Sequence, residues 1–217
     1  MTNQALERAF DALVASSCDA AVLSSIANVT YATEWEVPVP FGAGAELAWG
    51  QPTLIVSVRD RATWLVVPDG QAASAREHAK VDAVIPFATF DSFTPSDSRT
   101  SFLDAIDGVL QEAGFTSGSG TLAVEGRSLP QAVAGLLANR LDAWIVVDAE
   151  APLQRARSIK TPRELELLRR ASAISDVAQD TLTELSREAG RTEFAMWAEI
   201  GRRINAAAGF NVPLSGE

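Results

Sequence analysis

The sequence has little of what catalytic chemistry usually draws on. Its 217 residues include one cysteine, Cys18, and one histidine, His78. A lone cysteine cannot form an intrachain disulfide, which excludes a disulfide-stapled scaffold and fits a reducing compartment. Basic residues are scarce too, with 28 acids against 18 bases and a formal charge of −10. Phosphate backbones and anionic lipid surfaces attract clustered Lys and Arg, so neither nucleic acid nor membrane is an expected partner. No apolar run approaches the roughly 20 residues that cross a bilayer. Glu7, Arg8 and Asp11 interrupt the opening MTNQALERAFDALVA, leaving no signal-peptide apolar core, and a cytoplasmic location is the expectation.

What is present suits a globular chain: 47% of residues are apolar and 21% charged. A chain of this length buries about 70% of its extended surface, enough for a core without metal or disulfide staples. The charge is uneven. Residues 1–150 carry 19 acids and 8 bases, while residues 151–217 carry 9 and 10. At the same place short β-like runs give way to long helical periodicity. Two regions follow: a first domain over 1–152, then a linker and helical region over 153–217.

The first region alternates. Ala5, Leu6, Ala9, Phe10, Leu13 and Val14 recur at helical spacing, and Ala20–Leu23 reads as a buried strand. Thr53–Val58 and Ala62–Val67 flank Arg59-Asp60-Arg61 as an antiparallel hairpin. Pro68-Asp69-Gly70 is a turn, Ala72–Lys80 a short helix and Asp82–Pro86 a strand. A helix through Phe102, Ile106 and Leu110 stops before Gly114. The strand Thr121–Glu125, a helix opened by Ser128, and the strand Ala143–Asp148 complete the series. Six strands interleaved with helices predict an α/β fold, a six-stranded mixed sheet with flanking helices.

The second region is helical. Thr161-Pro162-Arg163-Glu164 has the form of a capping box with Pro at the first helical position. Leu168, Ala171, Ile174, Ala178, Leu182 and Leu185 carry an apolar stripe towards Gly190, and Glu166 and Arg170 stand at i,i+4. Thr192 caps a second helix bearing Phe194, Trp197, Ala198 and Ile204.

Candidate chemistry is sparse. Metal sites need several carboxylates, usually with His, facing one cavity. His78 lies in a short polar helix and reads as a structural residue, and no HExxH or paired-Asp strand occurs. There is no GxSxG elbow, and Cys18 between a helix and a strand reads as a small buried hydrophobe. Gly42-Ala43-Gly44 lacks the third glycine and the Lys of a phosphate cradle. No residue is assigned a catalytic or metal-binding role. One segment stands out: Thr33–Pro52 gathers Trp35, Phe41 and Trp49 on a long loop. Such loops are often functional, so these aromatics are candidates for substrate or partner contact, with folding back onto the domain's own core as the alternative.

Four stretches carry a resemblance. Asp19–Leu23 with Ile26-Ala27-Asn28-Val29-Thr30-Tyr31 resembles the early strand-and-turn of the creatinase/prolidase (Xaa-Pro peptidase) family. Arg157–Ala171, which contains IKTPRELELL, resembles that family's passage into its catalytic domain. Gly190-Arg191-Thr192-Glu193-Phe194 resembles the next helix start, and Phe210–Gly216 (FNVPLSG) the loop towards the active site. The resemblance implies an N-terminal α/β domain followed by the helical start of a truncated "pita-bread" α+β domain. It implies a hydrolase of amide-type C–N bonds acting on small peptides or amides. Two divalent metals, Mn, Co or Zn, are expected in a full-length member, and a homodimer is the implied assembly. All five family metal ligands would lie after FNVPLSG. The present residues are therefore expected to hold no cofactor, to be inactive alone, and to serve dimerisation and shaping of the active site. A non-enzymatic dimerisation or binding module derived from the family is the competing expectation.

Overall fold

A computed structural model describes residues 3–38, 50–89 and 96–212. The chain divides into two compact units, Met1–Ile159 and Lys160–Glu217. The first unit contains, in order, α1 (Gln4–Ala15), β1 (Ala20–Leu23), α2 (Ile26–Thr33), β2 (Thr53–Ser57), β3 (Ala62–Pro68), α3 (Ala72–His78) and β4 (Ala83–Phe87). After these come α4 (Ser98–Glu112), β5 (Gly120–Val124), α5 (Gln131–Arg140), β6 (Trp144–Asp148) and α6 (Glu150–Ser158). The second unit contains α7 (Pro162–Leu185) and α8 (Glu193–Ala208).

The strands form one six-stranded mixed sheet in the order β4-β3-β2-β1-β5-β6. Strand β2 pairs antiparallel with both β1 and β3, and the other neighbours are parallel. The short Arg59–Arg61 connection requires this, because so brief a link joins only antiparallel strands. Every residue of β1 and β2 is buried, as expected where helices cover both faces of a sheet.

Alternation along the strands divides the apolar side chains between two cores. Leu23, Leu54, Val56 and Leu65 face one way, towards Phe10 and Leu13 of α1 and Leu153 of α6. Val22, Ile55, Val66 and Leu122 face the other, towards Phe102 and Ile106 of α4 and Val133 of α5. Each fully buried side chain of this size contributes roughly 1.5–3 kcal/mol. Gly50 enters this second core with φ +103°; a Cβ there would lie 2.8 Å from Phe102 and 2.9 Å from Phe87. Those two rings meet tilted at 51°, with 4.9 Å between centroids, so only glycine fits between the backbone and the pair.

Several details differ from the sequence reading. Ile26–Thr33 is a helix rather than a turn, capped by Ser25, whose Oγ accepts from the Asn28 N–H. Ser128 does not cap α5, which begins after Pro130 without a side-chain cap; its hydroxyl pairs with Ser24 Oγ at 2.8 Å instead. The position 152, where the sequence boundary was placed, falls inside α6. Leu153 of that helix is buried in the first core, which holds the helix to the first unit.

In the second unit, Thr161 Oγ1 accepts from the Glu164 N–H, and Glu164 Oε2 accepts from the Thr161 N–H at 2.8 Å. That reciprocal pair is the capping box expected from TPRE. Arg170, which stands four residues after Glu166, donates to the Ala208 carbonyl at 2.8 Å and lies over the Phe210 ring. Leu185, Ile200, Ile204 and Ala208 are buried, whereas Leu165, Leu167, Leu168, Leu182, Phe194 and Trp197 are exposed.

Candidate functional site

A dense polar constellation lies at the carboxyl ends of β1 and β5. In this sheet the chain leaves β1 towards β2, β3 and β4, then returns to the other side of β1 for β5 and β6. A crevice opens at such a reversal because the connections from neighbouring strands run in opposite directions.

Glu125, the residue after β5, is buried with 2% exposure. Its Oε2 accepts from the Ser24 and Ser25 backbone N–H groups at 2.6 and 2.9 Å. Its Oε1 accepts from Ser25 Oγ at 2.5 Å and from Asn28 Nδ2 at 2.6 Å. A buried carboxylate is tolerated only when its lone pairs are met, and four donors meet all of them here. The carboxylate also sits at the N-terminus of α2, where the helix dipole favours negative charge.

The network extends outward from there. Asn28 Oδ1 accepts from Arg157 Nη1 of α6 at 3.0 Å. Gln51 Nε2 donates to the carbonyls of Ser24 and Ser128 at 2.8 and 3.0 Å. The Arg127 N–H donates to Glu150 Oε1 at 2.9 Å. Together these tie the β1–α2 turn, the end of β5, the entry to β2 and α6 into one assembly. Beside it lies a cleft of about 310 Å³ lined by Asn28, Glu125, Arg127, Glu150, Gln154 and Arg157. A carboxylate with every acceptor site engaged has no lone pair for a substrate proton, so Glu125 acts as an internal anchor and not as a general base.

The other candidate residues are placed apart from this cleft. Trp35 is buried in the first core, its Nε1–H donating to Ser74 Oγ at 3.2 Å. Phe41 and Trp49 lie outside the described residues. Cys18 is buried, its thiol pushed up by burial and then by the neighbouring Asp19 carboxylate, which leaves it a packing residue rather than a nucleophile. His78 is exposed, with Nδ1 3.0 Å from the Ser74 carbonyl. Asp19 is held below the usual carboxylate range by the hydrogen bond from Arg59 and then by that from the Thr121 N–H. Among the described residues no group of three or more His, Cys, Asp and Glu is placed to hold a metal ion. The described residues thus do not fit the metal centre that the resemblance implies.

Sequence reasoning missed the Glu125 network because its members lie up to about 130 positions apart, beyond any local motif. The available signals were short ones. Ser24-Ser25 stands before an apolar run, a capping pattern, and a lone Glu ends an otherwise apolar strand.

Comparison with known proteins places this architecture. Over 93% of its length the chain superposes on 52% of the prolidase from Pyrococcus furiosus, with a TM-score of 0.63 and 21% identity. The dipeptidase PepE from Mycobacterium ulcerans is likewise 21% identical, with a TM-score of 0.58 over 94% of this chain and 49% of that one. A proline dipeptidase structure from Streptococcus pneumoniae is 19% identical with a TM-score of 0.51; there 71% of this chain covers 98% of the other. At these identities the likeness is one of fold. The chain spans about half the length of the prolidase and PepE structures it matches. No curated protein matches it in sequence. The family model for the Creatinase/Prolidase N-terminal domain matches residues 6–159, the first unit almost from end to end. By that match, and with the six-stranded mixed sheet to support it, the chain belongs to the creatinase/prolidase family through its N-terminal domain.

Proposed function

We propose that these residues form the N-terminal portion of a metal-dependent Xaa-Pro peptidase or creatinase-like hydrolase that cleaves an amide-type C–N bond. In this reading the portion dimerises and shapes access to the active site, and the catalytic ligands lie in sequence beyond residue 217. The observation that carries it is the contrast between a first unit that matches the family's N-terminal domain and two helices that expose their apolar side chains. Phe194 is 81% exposed and Trp197 49%, and faces of this kind mark surfaces meant to be covered. A homodimer and small peptide or amide substrates belong to the same proposal. So does a contact role for the 33–52 segment: Trp35, packed inside, would anchor its start, with Phe41 and Trp49 as the contact residues.

Two divalent metals, Mn, Co or Zn, would supply the activated water of such an enzyme. The described residues offer them no ligand set. The test is an assay of Gly-Pro dipeptide hydrolysis with added Mn²⁺, Co²⁺ or Zn²⁺. The 217-residue chain is expected to show no turnover, and the reading frame extended past Glu217 to show it. Hydrolysis by the 217-residue chain would overturn the proposal.

A non-enzymatic module derived from the family is the second reading. It is favoured by one observation: the first unit closes both of its cores without the second. Hydrogen exchange separates the two. Strong protection of 193–208 within a stable dimer supports the module, and rapid exchange there supports the N-terminal portion of a longer enzyme.

A further inference from the structure

The two edges of the sheet are built differently. Strand β4 ends one side and carries Pro86, which has no N–H to offer a new strand. Strand β6 ends the other side without proline or lysine. Its Ile145 is 68% exposed and its Val146 56%, and consecutive strand residues point to opposite faces, so both faces of this edge are apolar.

The edge backbone can be traced. The Ala149 N–H donates to Val124 of β5 at 2.9 Å, and the Trp144 N–H turns back to the Leu141 carbonyl at 3.0 Å. In a parallel ladder alternate residues aim their backbone groups at the same neighbour. Ile145 and Val147 therefore face β5 with Ala149, while the N–H and C=O groups of Val146 and Asp148 face outward.

The charges around the edge choose its occupant. Asp142 and Asp148 are exposed at its two ends and Glu150 follows, within a region of 19 acids and 8 bases. A second copy paired antiparallel about Val146 would bring Asp142, two residues before the strand, towards Glu150, the first residue of α6, of that copy at each end. Like charges brought together at the ends of a strand pair repel. An extended segment with bases at its ends meets the same groups with opposite sign.

We propose that β6 is a docking edge for an extended segment of another protein, apolar at its centre and carrying Lys or Arg at its ends, which adds to the sheet through Val146 and Asp148. The recognition combines main-chain pairing with flanking charge. It rests on the first unit alone and is independent of whether the whole protein is a hydrolase.

The test uses the 217-residue chain and a synthetic seven-residue peptide of alternating valine and threonine with lysine at both ends. At millimolar peptide, amide exchange at Val146 and Asp148 is expected to slow by about tenfold. Glutamate at the peptide ends should abolish the effect, and Asp142→Lys should weaken it severalfold. Val146→Pro removes only an outward N–H and should block binding while leaving the fold intact. The proposal is overturned if the lysine peptide gives no slowing, or if the glutamate peptide protects equally. It is also overturned if the edge is already protected without peptide, increasingly so with protein concentration, because a second copy then occupies it.

Discussion

The two units of this chain reach helical structure by different means. In the first, helices are held by what they cover: α4 buries Phe102, Ile106, Val109 and Leu110 against the sheet. In the second, α7 buries only Thr181 and Leu185 along 24 residues. Its helical character is written locally, in a capping box and a proline at the first turn, and the Glu184–Arg203 ion pair is added across to α8. A helix cap contributes about 1 kcal/mol, whereas a buried aromatic or branched side chain contributes up to several times that; an exposed ion pair adds little. Local signals can therefore start and stop a helix, but a core is needed to make it resist unfolding.

Substitutions in each unit test this contrast. The largest effect is expected at the buried anchor of the first unit. Glu125→Ala strips the acceptor from four donors and should cost about 3–5 kcal/mol in urea unfolding. A loss under about 1 kcal/mol would mean that water replaces the carboxylate and the network holds nothing. Gly50→Ala comes next, at about 1–3 kcal/mol, from a Cβ forced against Phe102 at positive φ. Thermal unfolding checks it, and an unchanged melting temperature would show that the Phe87–Phe102 pair yields.

Smaller changes are expected in the second unit. Thr161→Ala removes one half of the capping box and should cost about 1 kcal/mol, read from helix content by circular dichroism. Glu199 is held at about 2, against its ordinary 4.5, by hydrogen bonds from Arg202 and then Arg203. The unfolded chain binds that proton more readily between those values, so this contribution is complete above about pH 4.5. It fades as pH falls towards 2, and Glu199→Gln should flatten that part of the stability profile. A profile that keeps its slope in the variant would assign the acid sensitivity to other carboxylates. The smallest effect belongs to Phe194→Ser, which should shift stability by less than about 0.5 kcal/mol while reducing binding of an apolar dye. A loss above about 1 kcal/mol would show that this face is covered in solution, and would dissolve the contrast between the units.

Much of the fold was legible because its signals are short. The strand Ala20–Leu23, the hairpin around Arg59–Arg61 and the TPRE cap each lie within a few residues of sequence, and the structure contains all three. Helix α2 was less so. Its Ser25 cap was readable, but eight residues give too little periodicity to separate a helix from a turn. Ser128 differs for a related reason: a serine three residues before Gln131 looks like a cap, yet its hydroxyl finds Ser24 across the crevice. The candidate site was the least legible part. Ser24, Asn28, Gln51, Glu125 and Arg157 have no common spacing, and a glutamate at a strand end does not by itself name the distant turn whose N–H groups it accepts from.

The class of the fold, the division into an acidic alternating region and a helical one, the places where most helices start and the family resemblance are all readable along the chain. These follow from periodicity, capping chemistry and charge, each of which acts over one or two turns of chain. The strand order, the inward place of Trp35, the saturation of Glu125 and the open edge at β6 emerge only on folding. Each of those depends on which distant segments become neighbours when the sheet closes its two cores, and pairing across 100 or more residues leaves no local trace.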